Sequence, residues 1–133
     1  MSGGPRLLER GPAPGTGPGL PEVESASRRA DEDARAIRCR ACGKAITTSA
    51  ERTSVAGAHE HTRFNPGGFV FRFGCFRSAP GCAVAGEATS EATWFSGYRW
   101  SYALCGGCGT HLGWRFDGEA AFFGLVLERL VED

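Results

Sequence analysis

From Ile37 onward the chain reads as short strands separated by turns. Phe69-Val70-Phe71-Arg72-Phe73-Gly74-Cys75 alternates, which predicts a strand with Phe69, Phe71, Phe73 and Cys75 on one face. Trp100, Tyr102 and Leu104 alternate with Ser101 and Ala103, and Trp114 and Phe116 alternate with Arg115 and Asp117. Phe122 to Leu127 is an unbroken apolar run of the length expected for a core strand. Asn65-Pro66-Gly67-Gly68 is the strongest turn signal. Nothing after residue 37 keeps a helical period, and no internal repeat is found. One mainly β domain of antiparallel strands is expected over 37–133.

The first 36 residues follow no such pattern. Five of the seven prolines fall in the first 21 residues, among many glycines. Such a stretch buries too little apolar surface to offset its ordering entropy. A disordered Pro/Gly-rich tail is expected over 1–36.

Composition narrows the function classes. A length of 133 residues suits a single domain. Fifteen basic residues balance fifteen acidic ones, which argues against nucleic acid, since phosphate binding calls for surplus cations. The same balance offers nothing to an anionic membrane. No run reaches the length of a transmembrane helix, and residues 1–11 lack the apolar core of a signal peptide. A cytoplasmic protein is the expectation.

The six cysteines carry the clearest chemistry. Cys39-Arg40-Ala41-Cys42-Gly43 and Cys105-Gly106-Gly107-Cys108-Gly109 are two C-x-x-C-G knuckles. Each points two sulfurs at one centre, and two knuckles supply four thiolates for one structural zinc ion with no position left for water. A redox C-x-x-C usually stands alone at a helix N-terminus. The knuckles are separated by 62 residues, so a shared metal would clamp the start of the domain to its far end. Cys75 is expected as a buried thiol on its strand, and Cys82 as a partly exposed one in the Pro80-Gly81-Cys82 turn. His59 and His61 read as a surface pair near a turn. His111 is expected to make a hydrogen bond behind the metal ligands or within the fold.

Trp94, Trp100 and Trp114 lie within 21 residues and flank the second knuckle. A strand–knuckle–strand hairpin from Trp100 to Phe116 could bring two of them together. Spacing alone leaves two readings open, core stacking or an aromatic cage for a flat ligand.

At these residues the chain resembles the thalidomide-binding (CULT) domain of the cereblon family, in its small bacterial-type form. The resemblance runs over about 38–130. It rests on Cys39-x-x-Cys42, Ile46-Thr47-Thr48, Phe64-Asn65-Pro66-Gly67-Gly68 and Glu91-x-x-Trp94-Phe95-x-Gly97-Tyr98-x-Trp100. It closes on Cys105-x-x-Cys108-x-x-His111-Leu112-Gly113-Trp114-x-Phe116 and Phe123-Gly124-Leu125. The resemblance implies a β-tent-like fold of two antiparallel sheets pinned by zinc. It implies a pocket walled by Trp94, Trp100 and Trp114, with Phe116 at its base or edge and Asn65, Pro66, Ala92 and Phe95 contributing. It implies non-enzymatic binding of glutarimide or thalidomide-type imides, C-terminal cyclic imides of peptides, and uracil-like ligands. A backbone carbonyl at Ala92 and the backbone amide of Trp94 would meet the imide. Two positions depart from the family: Ala92 stands where relatives carry histidine or phenylalanine, and Phe116 where some carry tyrosine. The ligase-adaptor portion of cereblon has no counterpart here, so no ubiquitin-ligase partner is expected. The competing readings are an enzyme like methionine sulfoxide reductase B, which shares a zinc-pinned β scaffold but needs a late nucleophilic cysteine, and a zinc-stabilised protein-interaction module.

Overall fold

The computed structural model describes residues 33–133. The expected tail lies outside the described residues up to position 32. Among the described residues, nine strands form two antiparallel sheets. The smaller sheet has the order β2-β1-β9, with β1 at Ala36–Cys39, β2 at Ala45–Thr48 and β9 at Leu130–Glu132. The larger has the order β3-β4-β8-β7-β6-β5. Its strands are β3 (Glu60–Phe64), β4 (Val70–Phe76), β5 (Cys82–Thr89), β6 (Arg99–Cys105), β7 (His111–Asp117) and β8 (Phe122–Val126). Among the described residues two short 3-10 turns, Ser49–Glu51 and Leu127–Arg129, follow β2 and β8. No helix among the described residues is long and apolar enough to cross a membrane.

The central strands of the larger sheet bury residues on both faces, and the ladder decides which residue goes where. Residues paired across a ladder share a face. Phe73 pairs with Val126, Cys75 with Gly124, Trp114 with Gly124 and Phe116 with Phe122. These residues form one core, covered by Val55, Phe95 and Tyr98 from the connecting segments. On the opposite face Phe76 pairs with Phe123, and Gly113 pairs with both Leu125 and Ala103. That face packs on Ile37, Cys39, Ile46 and Leu130 of the smaller sheet. Each fully buried aromatic or aliphatic side chain here contributes about 2 kcal/mol of apolar transfer. All five residues of β8 are buried, which is why its sequence shows no alternation.

Close approach of strands explains one glycine directly. A Cβ on Gly113 would run into the carbonyl oxygen of Gly124 on the neighbouring strand.

Several expectations are corrected in detail. On β6 the small-residue face is the buried one: Ser101 is 3% and Ala103 0% exposed, whereas Tyr102 is 45% exposed. Small side chains there leave room for the second sheet to seat. Phe69 precedes β4 and is 68% exposed, so the burial of Phe73 and Cys75 does not extend to it. His61 is no surface residue. It is buried, stacked on Phe73 and edge-on to Phe95, while the His59 ring meets Phe76. Cys82, by contrast, is partly exposed as expected: it opens β5 directly after the Pro80-Gly81 turn, half-buried against the core between the sheets.

Candidate functional site

The two knuckles repeat one another bond for bond. The Cys39 amide donates to Lys44 O at 2.9 Å and the Gly43 amide to Cys39 O at 2.8 Å. The Cys105 amide donates to Thr110 O at 2.7 Å and the Gly109 amide to Cys105 O at 2.9 Å. Gly43 and Gly109 both take left-handed backbone, φ +83° and +82°, a conformation that side chains disfavour by about 1–2 kcal/mol. The four sulfurs lie within 4.8 Å of one another. Cys39 and Cys108 are 3.8 Å apart, Cys42 and Cys105 3.5 Å. A tetrahedral ion with bonds of about 2.3 Å to sulfur needs sulfurs about 3.8 Å apart, so the tetrad is suited to hold a metal ion.

The surroundings favour thiolate in part of the tetrad. The Thr110 hydroxyl, 3.0 Å from Cys108 Sγ, together with the Thr110 amide, brings Cys108 down to about 6. Burial works to raise Cys105, but the Cys108 and Gly107 amides and the neighbouring thiols outweigh it and lower it. Cys42 moves the other way, to about 11: the Lys44 amide lowers it, but Cys105, burial, Cys108 and Cys39 raise it further. Within the cluster Cys42 is thus pushed opposite to Cys105 and Cys108. Cys75 and Cys82 lie outside the tetrad, and burial is the main force pushing both up to about 12.

The second feature is a cavity of about 370 Å³ on the aromatic face of β6 and β7. Its walls include Trp94, Trp100 and Trp114, with Phe116 alongside and Asn65, Pro66 and Ala92 at the loops. Phe95 is not among the lining residues; it lies in the core, edge-on to Phe116 and Phe122. Sequence reading missed Phe71, Glu91, Tyr102 and His111, which also line the cavity. The missing signal was register. Tyr102 stands opposite Trp114, and Trp100 opposite Phe116, so the hairpin sets Tyr102 beside the indole where spacing alone suggested Trp100.

Two of the indoles are held by backbone carbonyls. Trp100 Nε1–H donates to Glu91 O at 2.8 Å, and Trp94 Nε1–H donates to Phe64 O at 2.9 Å. Trp94 stacks on Phe73 at 5.4 Å and meets Trp114 edge-on at 4.9 Å. Asn65 spends its side-chain oxygen on the Phe69 amide, 2.9 Å away, which closes the β3–β4 turn. Ala92 has φ +55°, strain placed on the cavity's lip. Within the described residues no hydrogen bond uses the Ala92 carbonyl or the Trp94 backbone N–H.

His111 makes its bond inside the fold and not to the cysteines. Its Nε2 lies 2.9 Å from Gly113 O. A carbonyl only accepts, so Nε2 carries the proton. Burial lowers the pKa of this imidazole, with the nearby Arg129 charge acting in the same direction against the Gly113 bond.

No family model matches the chain. Curated relatives do. The chain is 32% identical to protein cereblon of Gallus gallus over 101 residues, covering 70% of this chain and 23% of that protein. It is 27% identical to protein cereblon of Drosophila melanogaster over 97 residues, covering 66% of this chain and 17% of the fly protein. With protein cereblon of Xenopus tropicalis identity reaches 36% over 52 residues, 39% of this chain and 12% of that protein. The chain thus spans a quarter or less of the length of these relatives. The similarity falls on one domain's worth of sequence, and that domain is the cereblon-like (CULT) domain to whose family this chain belongs.

Proposed function

We propose that the aromatic cavity binds cyclic imides of the glutarimide or thalidomide type, with C-terminal cyclic imides of peptides and uracil-like rings as related ligands. The observation that carries this reading is the unused backbone pair, Ala92 C=O and Trp94 N–H, on a cavity walled by three indoles. An imide offers acceptor, donor and acceptor in one plane, so its N–H suits the carbonyl and one oxygen suits the amide. Its aliphatic edge suits indole faces. The volume falls at the lower end of small-ligand sites, which run from about 300 Å³. Two net hydrogen bonds at about 1 kcal/mol each, plus burial of a small ring, place affinity in the micromolar range.

We further propose zinc for the tetrad, held by Cys39, Cys42, Cys105 and Cys108. Four thiolates leave no open position, so the ion would supply folding energy and no chemistry at the ligand. Binding without turnover fits the remaining thiols, because groups pushed up to about 12 are not nucleophiles at neutral pH. This weighs against a sulfoxide-reductase reading.

Titrating the metal-loaded protein with a fluorescent thalidomide analogue tests the proposal. Saturable micromolar binding that is lost in Trp100→Ala is expected. Absence of saturable binding to the metal-loaded wild type overturns it.

A further inference from the structure

The cavity is larger than the bare ring proposed for it. A glutarimide has eight heavy atoms; even at the about 30 Å³ that each molecule takes in liquid water, it fills at most about 240 Å³. The cavity measures about 370 Å³. The strand register orders the wall residues of β6 and β7 along the hairpin. Trp100 and Phe116 pair at one end of the β6–β7 hairpin, Tyr102 and Trp114 in the middle, and Leu104 and His111 at the knuckle end. Tyr102 and His111 both line the cavity, and His111 stands toward its knuckle end.

His111 lines this part of the cavity, and one of its two ring nitrogens is already committed. Its Nε2–H is committed to Gly113 O at 2.9 Å. The ring stands edge-on to Tyr102 at 5.4 Å and to Trp114 at 5.2 Å, so it cannot flip without giving up that bond. Nδ1 is left as an acceptor, and no hydrogen bond within the described residues uses it.

Resting on the proposed imide binding, we infer that His111 is a specificity-determining residue: its Nδ1 accepts a hydrogen bond from a donor carried outside the imide ring. The donor that fits is an amide N–H on the carbon next to a ring carbonyl. A peptide ending in a cyclic imide has this group by construction, because the cyclised terminal residue keeps its own α-amide N–H. A bare ring lacks it. A ligand placing an acceptor at that point would set lone pair against lone pair.

The test uses the metal-loaded full chain and two probes, glutarimide and 3-acetamidoglutarimide, titrated calorimetrically. The wild type should prefer the acetamido compound by about five- to tenfold, the worth of one net hydrogen bond. In His111→Phe, which keeps an aromatic ring and removes the acceptor, the ratio of the two affinities should fall toward about one. A ratio that His111→Phe leaves unchanged, or no preference in the wild type, overturns the inference while leaving imide binding intact. Failure of both probes to bind the wild type overturns the proposed function and this inference with it. A second readout needs no variant. The Nδ1 nitrogen resonance of wild-type His111 should shift with the acetamido compound and far less with glutarimide; equal shifts overturn the inference.

Discussion

The indole N–H of Trp100 donates to the carbonyl oxygen of Glu91 across 2.8 Å. That single bond ties strand β6 to the loop carrying Ala92 and Trp94. The loop's other fastenings are a turn bond from the Thr93 amide to Ser90 O at 3.2 Å, the Thr89 hydroxyl receiving the Glu91 amide at 3.1 Å, and, on the far side, the Trp94 indole N–H on Phe64 O at 2.9 Å. Trp100 is thus both a wall of the cavity and the strut that sets its lip.

Trp100→Phe separates the two roles, since it keeps an aromatic wall and removes the donor. Stability should fall by about 1 kcal/mol, the net worth of one hydrogen bond. Affinity for a thalidomide analogue should fall further, by about tenfold, because a loose loop must be ordered again on binding. Denaturant unfolding and fluorescence titration read the two effects. Equal losses in both would show that Trp100 supports the fold without organising the lip.

The features legible in the sequence were those set by local pattern. The knuckles announce themselves because the chemistry fixes both spacing and the trailing glycines, Gly43 and Gly109. The β8 run and the Asn65–Gly68 turn follow from burial and turn chemistry in the same way. The faces of β6 were harder to read. Alternation shows that Ser101 and Ala103 oppose Trp100 and Tyr102, but the face lining the cavity carries the larger apolar side chains, so hydrophobicity does not tell core from cavity. Tyr102 and His111 escaped for a related reason. Their place on the cavity depends on the β6–β7 register, including its shift between Ala103 and Leu104, and register is a property of the pair of strands.

The contact between β7 and β8 gives a sharp stability test. In Gly113→Ala the new methyl meets backbone, the carbonyl of Gly124 and the Leu125 Cα at 2.9 Å. Backbone cannot rotate away as a side chain can, so the strands must separate. The cost should sit at the upper end for overpacking, about 3 kcal/mol or more. Gly43→Ala meets nothing within 4 Å and strains only its φ of +83°, so it should cost about 1–2 kcal/mol. Thermal or denaturant unfolding should rank the two in that order; the reverse order would contradict the close approach of β7 and β8.

Metal removal should unfold the domain. Zinc binding free energies in small thiolate sites run to about 10–16 kcal/mol, comparable to or above the whole stability of a domain, about 5–15 kcal/mol. The clamp also joins residues 39–42 to 105–108 across both sheets, so its loss reaches the hairpin that carries Trp100 and Trp114. Purified protein should contain one zinc per chain by elemental analysis. Cys105→Ser should lose the metal and the folded circular dichroism signal. Cys82→Ala is the control: this residue pairs with Cys105 in the ladder yet stands outside the tetrad, so zinc content should be unchanged. Imide binding that survives complete chelation would contradict the coupling of metal to pocket.

His61 should make the domain sensitive to mild acid. Its ring is buried between Phe73 and Phe95, and Nε2 is held by Ala58 O at 3.0 Å. Burial is the main cause that lowers its pKa below the ordinary 6.5, and the Arg63 and His59 charges add to it against the Ala58 bond. The sign follows from proton counting. Below 6.5 the unfolded chain takes up a proton that the folded chain resists, so the unfolded state binds more protons and stability falls as pH drops. The contribution is intact at neutral pH and is lost as pH falls through 6.5 toward the lower folded value. His111, lowered mainly by its own burial, acts in the same direction. Denaturant unfolding between about pH 7.5 and 5 should therefore show stability declining with acid, and His61→Asn should make that decline shallower. A decline of unchanged slope in the variant would assign the acid sensitivity elsewhere, and a folded-state titration of His61 at or above 6.5 by NMR would remove its cause.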